Sequence, residues 1–229
     1  GLGLVSNCTI IGNVSIGTSG GGIMYPNTAG FRTIMDSVIS GNSAAVGNGG
    51  GLNTTATLAA TLTVTRCTVA GNFAQLGGGI YSGQPVVMKD CLIASNTATS
   101  YGGGMNLAAV SDSTLVESCV IISNSTTMSG GGVMFYGGTL TNCMIAWNSA
   151  TVSGGGLELM NSAANKNLLG CHISSNRAIS DGGGLYYPAS AGIVNTARNC
   201  VVSYNASTNG DGGGIYTGDT ATFFRNCLI

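Results

Sequence analysis

One two-part block recurs along this chain and decides what it can fold into. Its first half reads C-x-[IV]-x-x-N and begins at Cys8, Cys67, Cys91, Cys119, Cys143, Cys171 and Cys200, with Ser37 standing for Cys in the second copy. Its second half is a glycine triplet followed by Ile, Leu, Val or Met, at 20–22, 49–51, 77–79, 102–104, 130–132, 154–156, 182–184 and 212–214. A ninth copy starts at Cys227. Successive anchors lie 24 to 30 residues apart. The stretch from anchor to the residue after the triplet is always 13 to 15 residues, whereas the return to the next anchor varies from 10 to 15. One side of each repeat is therefore length-locked and the other carries the insertions, which is the pattern of a solenoid whose units bury a shared core only by stacking.

Within the block the apolar period is two. The Cys position and the Ile or Val two residues on share a face, while the residue between them varies freely, as at Thr9, Leu92 and His172. A glycine triplet in every repeat would cost a helix about 1 kcal/mol per glycine. Short β segments between Gly and Asn turns thus predict an all-β chain, a single right-handed parallel β-helix of about eight coils over 1–229, with three short strands per coil. Stacking at about 4.8 Å converts each repeat position into a column. Asn13, Asn42, Asn72, Asn96, Asn124, Asn148, Asn176 and Asn205 then form one ladder, with Asn expected to take a left-handed corner itself. An Ile/Val column and an apolar column three residues before Cys supply the interior, and the odd spacing of the latter from Cys requires a corner or a bulge between them. Cys67, Cys91, Cys119, Cys143, Cys171, Cys200 and Cys227 are expected as a buried thiol ladder, because in-register parallel side chains do not converge to disulfide geometry. The triplets permit either unusual dihedrals or a close approach of two walls, and the sequence leaves both open.

Composition enters as a filter on partners. Only 15 of the 229 residues are charged, for a net charge of −1. No basic footprint for a nucleic acid exists, and no apolar run reaches the ~18–20 residues of a membrane span, so this segment is not expected to insert. Of the 39 glycines, 24 lie in the triplets, so the glycine excess is positional and not low complexity. Charges fall on outward columns: Asp36, Arg66 and Asp90 alternate in sign before successive anchors, Lys89 sits under Glu117, and Arg198 and Arg225 share a column.

The strongest catalytic cluster is Asp181 and Asp211. Each directly precedes a triplet and they neighbour one another in one column, with His172 and Arg177 in the same coil as Asp181. Two carboxylates one coil apart could hold a cation or share a proton for polysaccharide chemistry. The competing reading is that Asp, like Ser19, Asn48, Ser129 and Ser153 in that column, makes the turn before glycine. No C-x-x-C occurs and the one histidine faces outward, so no metal site or other cofactor is expected. Tyr25, Tyr81, Phe135, Tyr186, Tyr187 and Tyr216, near the variable loops, could stack on sugars.

These motifs resemble the repeats of the bacterial polymorphic outer membrane proteins, whose passenger regions carry paired G-G-A-[ILV] and F-x-x-N motifs. Here they read as 102–105, Gly-Gly-Gly-Met, and 93–96, Ile-Ala-Ser-Asn. The departures are the third Gly for Ala, Ile or Val for Phe, and the added Cys. The resemblance spans the chain and implies a secreted or cell-surface passenger, structural or adhesive, on a right-handed parallel β-helix. The expectation is a non-catalytic extracellular or bacterial cell-surface segment of a longer chain, uncapped at both ends. Its expected partners are copies of itself through the coil ends, surface glycans, or host or neighbouring-cell proteins. A polysaccharide-degrading or carbohydrate-binding β-helix with its site near Asp181 and Asp211 is the alternative.

Overall fold

A computed structural model describes residues 3–17, 19–26, 30–55, 61–188, 195–218 and 222–229. Every strand runs parallel to the one above it, and the strands form four sheets, numbered in the order each coil visits them, of nine, eight, seven and eight members. The chain is a parallel β-helix in which eight coils stack in seven steps. The expectation of three strands per coil is corrected to four. In one coil these are Val86–Lys89, Leu92–Ala94, Thr97–Tyr101 and Met105–Leu107, one in each sheet. The repeat hides the extra strand because the segment after Asn shortens from six residues, Ser43–Asn48, to two, Ala206–Ser207, along the rod. In the first coil it is reduced to isolated bridges, Val14 to Ser43 and Ser19 to Asn48.

Left-handed residues turn the chain between sheets. The first corner is the residue before each anchor, at φ of 50° to 62°: Asn7, Asp36, Arg66, Asp90, Ser118, Asn142, Gly170, Asn199 and Asn226. It separates the first sheet from the second, and of the corner or bulge that the odd spacing required it is the corner. The second corner is not the ladder Asn, as the sequence suggested, but the residue before it: Gly12, Gly41, Gly71, Ser95, Ser123, Trp147, Ser175 and Tyr204. Asn is pointed inward instead, where its amide is wanted for bonding. The third corner is the first glycine of each triplet, at φ of 60° to 70°.

Both readings of the triplet hold, each for a different glycine. The first glycine turns the chain. The second presses on the opposite wall, so that a Cβ on Gly131 would overlap the carbonyl oxygens of Ser149 and Gly155. The third faces the Asn of the next coil, and a Cβ on Gly104 would lie 2.9 Å from the Asn124 side chain. The corner is thus re-entrant, pushed into the helix until it touches the ladder.

Inward columns fill the rest. Ile39, Val69, Ile93, Ile121, Ile145, Ile173 and Val202 are buried in the second sheet, and Ile34, Val64, Met88, Val116, Leu140, Leu168 and Ala197 in the first. The fourth sheet adds Leu52, Ile80, Met105, Val133, Leu157 and Leu185. Outside, Arg66 reaches Asp36 with two hydrogen bonds of 2.7 and 2.8 Å, and Lys89 meets Glu117 at 2.7 Å. Exposed pairs of this kind set register more than stability.

The two uses of glycine separate by substitution. Gly71→Ala keeps a left-handed corner whose nearest atom to the new methyl is 3.9 Å away, and it is expected to cost about 1–2 kcal/mol. Gly131→Ala must move two backbone walls and is expected to cost more than about 4 kcal/mol, or to prevent folding. Urea unfolding of both variants checks this, and equal losses would show that dihedral freedom alone selects the triplet.

Candidate functional site

The Asn ladder is a bonded wire. Each Asn backbone N–H and side-chain Nδ2 donate to Oδ1 of the next Asn, as from Asn96 to Asn124 at 2.9 and 3.0 Å. The second Nδ2 proton goes back to the coil before, from Asn96 to the Val69 carbonyl at 2.9 Å. The pattern runs from Asn13 to Asn205. Three bonds per step, at roughly 1 kcal/mol net each, make the ladder a principal stack-to-stack term.

All eight cysteines are free thiols, and Cys67, Cys91, Cys119, Cys143, Cys171 and Cys200 are buried, while Cys227 is half-buried and Cys8 exposed. Each Sγ donates to the carbonyl two residues earlier across the first corner, at 3.1 to 3.6 Å. Ser37 Oγ does the same to Met35 at 2.7 Å, which explains why serine substitutes there. Hydrogen bonds from neighbouring thiols, then burial, push Cys67, Cys119 and Cys200 upward, and Cys171 up to about 12. Cys91 and Cys143 accept from thiols on both sides, which pulls them the other way. A thiol reagent is therefore expected to modify Cys8 at once and Cys227 slowly in the native protein. The six buried thiols should react only at the rate of unfolding, countable by mass spectrometry.

Asp181 and Asp211 come together in one column, joined by a hydrogen bond from one coil to the next. Asp181 Oδ1 accepts the Asp211 backbone N–H at 2.8 Å, as Ser129 Oγ accepts from Ser153 at 3.3 Å and Ser19 Oγ from Asn48 at 3.3 Å. The side chains of His172 and Arg177 are exposed on the second and third sheets and take no part in the Asp181–Asp211 hydrogen bond. No group of three or more His, Cys, Asp or Glu residues that could hold a metal ion occurs among the described residues.

The aromatics divide. Phe135 and Tyr187 are fully buried core, and the Tyr25 ring lies under the Arg32 guanidinium at 5.2 Å. Tyr81, Tyr186 and Tyr216 belong to the outward middle column of the fourth sheet, where Tyr186 and Tyr216 stack with centroids 5.1 Å apart. That column also holds Asn53, Asn106 and Glu158, buried against the re-entrant corner with side-chain polar atoms that find no hydrogen-bond partner. The sequence reading missed Glu158. Desolvation, eased by the Ser129 hydroxyl, pushes its carboxyl up to about 7. A second buried ion, Lys166, donates to the Ala164 carbonyl at 2.8 Å, and burial pushes its ammonium down to about 8. Also missed were Trp147 and Tyr204, exposed at 60% and 90% on left-handed corners. Only knowledge of where that corner falls would have singled them out.

Because the folded-state pKa of Glu158 lies above its ordinary value, the native state holds the proton more tightly than the unfolded chain. Its contribution is full below about pH 4.5 and is lost as pH rises through about 7. The loss amounts to about 3 kcal/mol. Glu158→Gln is expected to abolish that decline, seen by comparing the two unfolding free energies from pH 4 to pH 8.

Comparison with protein-family models, curated proteins and solved structures finds no match. The class that the fold defines is a β-solenoid repeat protein.

Proposed function

We propose that this chain is a non-catalytic, extracellular structural and adhesive β-helix, a stiff segment of a surface protein that presents its outer faces to partners. The observation that carries the reading is the use to which the repeat puts its polar residues. The Asn column and the Asp181–Asp211 pair spend their polar atoms on bonding coil to coil, and the buried thiols of Cys91, Cys143, Cys171 and Cys200 also reach a carbonyl of the coil before. Such investment in stacking suits a spacer whose task is length and rigidity.

The ladder is also directional, with oxygens toward the first coil and N–H groups toward the last. Two copies would therefore join head to tail, a heterologous contact that propagates into a filament. The alternative of a carbohydrate-active β-helix near Asp181 and Asp211 draws support from Glu158, whose raised carboxyl lies on the adjoining face.

Sedimentation velocity across a hundredfold concentration range, with electron microscopy of the same samples, tests the reading. Rods that lengthen with concentration while keeping a continuous rung spacing of about 4.8 Å are expected. Compact particles that soften and lose their sheet signal under mild denaturant would overturn the rigid-spacer reading. Hydrolysis of an added polysaccharide that stops on Asp181→Asn would establish the alternative.

A further inference from the structure

The second corner carries a residue choice that stability does not explain. Six of its eight members are Gly or Ser, the small residues a left-handed turn tolerates best. In the sixth and eighth coils the same turn is made by Trp147 at φ 54° and Tyr204 at φ 56°. A left-handed backbone costs an L-residue about 1–2 kcal/mol, and neither side chain recovers it by burial, since both are exposed. Residues held in unfavourable dihedrals with no packing return mark sites where something else is gained.

The geometry shows what that is. Trp147 N–H bonds to the Ser174 carbonyl and Ser175 N–H to the Ser203 carbonyl, so Trp147, Ser175 and Tyr204 occupy one column in three successive coils. The two rings are thus rooted two rungs apart, about 9.5 Å, with the small Ser175 as floor between them. On the fourth sheet, Tyr186 and Tyr216 are rooted one rung apart and close on each other at 5.1 Å. Skipping a rung leaves the place of one ring empty. A guest ring there would lie about 4.8 Å from each wall, within the 4.5–7 Å range of stacked rings.

The rim gives the guest its chemistry. His172 and Arg177 lie exposed on either side of Ser175 in the same coil, His172 beside Met144 and Val201, Arg177 beside Ser149 and Ala206. Arg177 has no salt bridge among the described residues. Among the described residues, the side-chain carboxylates of these coils, Glu158, Asp181 and Asp211, belong to the fourth sheet and its glycine corner. A ring with an apolar face, hydroxyl edges and a negative charge matches this slot. Being open on its outer side, the slot suits an internal unit of a chain lying across the rod along the seventh coil. We propose that the slot formed by Trp147, Ser175 and Tyr204, with Arg177 and His172 at its rim, binds a carboxylate-bearing sugar unit of an acidic polysaccharide. The proposal deepens the adhesive reading and rests on it for the class of partner.

Trp147 is the one tryptophan in the chain, so its fluorescence reports on the slot directly. The probes are a galacturonate hexasaccharide, a neutral galactose hexasaccharide and a thymidylate hexanucleotide. Saturable change of the Trp147 signal with the galacturonate alone is expected. Tyr204→Ser and Arg177→Gln should each weaken it about tenfold or more, and Trp147→Ser should remove binding measured by calorimetry. Serine already occupies this column at 95, 123 and 175, so both serine variants should melt no lower than the parent, which separates lost binding from lost folding. An unresponsive Trp147, undiminished binding in Tyr204→Ser, or an equal response to the neutral sugar or the nucleotide would overturn the site. Release of shorter galacturonates would leave the slot standing and overturn the non-catalytic reading instead.

Discussion

The contact between the glycine corner and the asparagine ladder is the constraint on which the rest of this structure depends. Seven times, the third glycine of one coil lies against the Asn of the next, so closely that a Cβ would come within 2.7 to 3.0 Å of the amide. The ladder needs that proximity. With the corner pushed in, the amides from Asn42 to Asn176 are sealed from water, and their four hydrogen-bonding positions are met by protein alone, as at Asn96. Buried amides left unmet would cost about 1–3 kcal/mol apiece. The glycine column and the asparagine column are therefore one device, and neither works with the other removed.

A re-entrant corner has an outer consequence as well. The wall that moves inward leaves a crease outside, and the middle column of the fourth sheet faces into it. Asn53, Asn106 and Glu158 are buried there although their strand positions point away from the core. That is how a sheet with one nominally solvent-facing side comes to hide a carboxyl, and why its proton is held so firmly. In the second sheet the outward residues, Ala146 apart, stay partly or fully accessible, and Trp147 and Tyr204 at its corner are exposed. The two sides of one rod thus offer different chemistry.

The columns were legible in the sequence because stacking forces the same residue to solve the same problem in every coil. Asn, Cys and the glycine triplet each recur for that reason, and Ser37 in the cysteine column is the exception that reveals the rule, since its hydroxyl makes the bond a thiol would make. The fourth strand and the identity of the second corner were not legible. A left-handed residue on the surface is specified by its backbone alone, so Gly41, Ser95 and Trp147 can all serve and no single letter marks the column. The same freedom hid Trp147 and Tyr204, which look like loop aromatics until the corner is located. Asp181 and Asp211 show the converse. Their adjacency was readable, but their use was not, because a carboxylate that receives a neighbour's N–H and one that does chemistry have the same letter.

The hydrogen bonds between coils all run along the rod axis, and that decides how it answers a pull. Tension applied at the two ends meets the coils one at a time, so the weakest coil peels before its neighbours are loaded. A released coil of 24 to 30 residues supplies about 80–100 Å of extended chain in exchange for one rung of about 4.8 Å. A rod built this way lengthens in steps under load, dissipating force rung by rung while the remaining coils hold their grip.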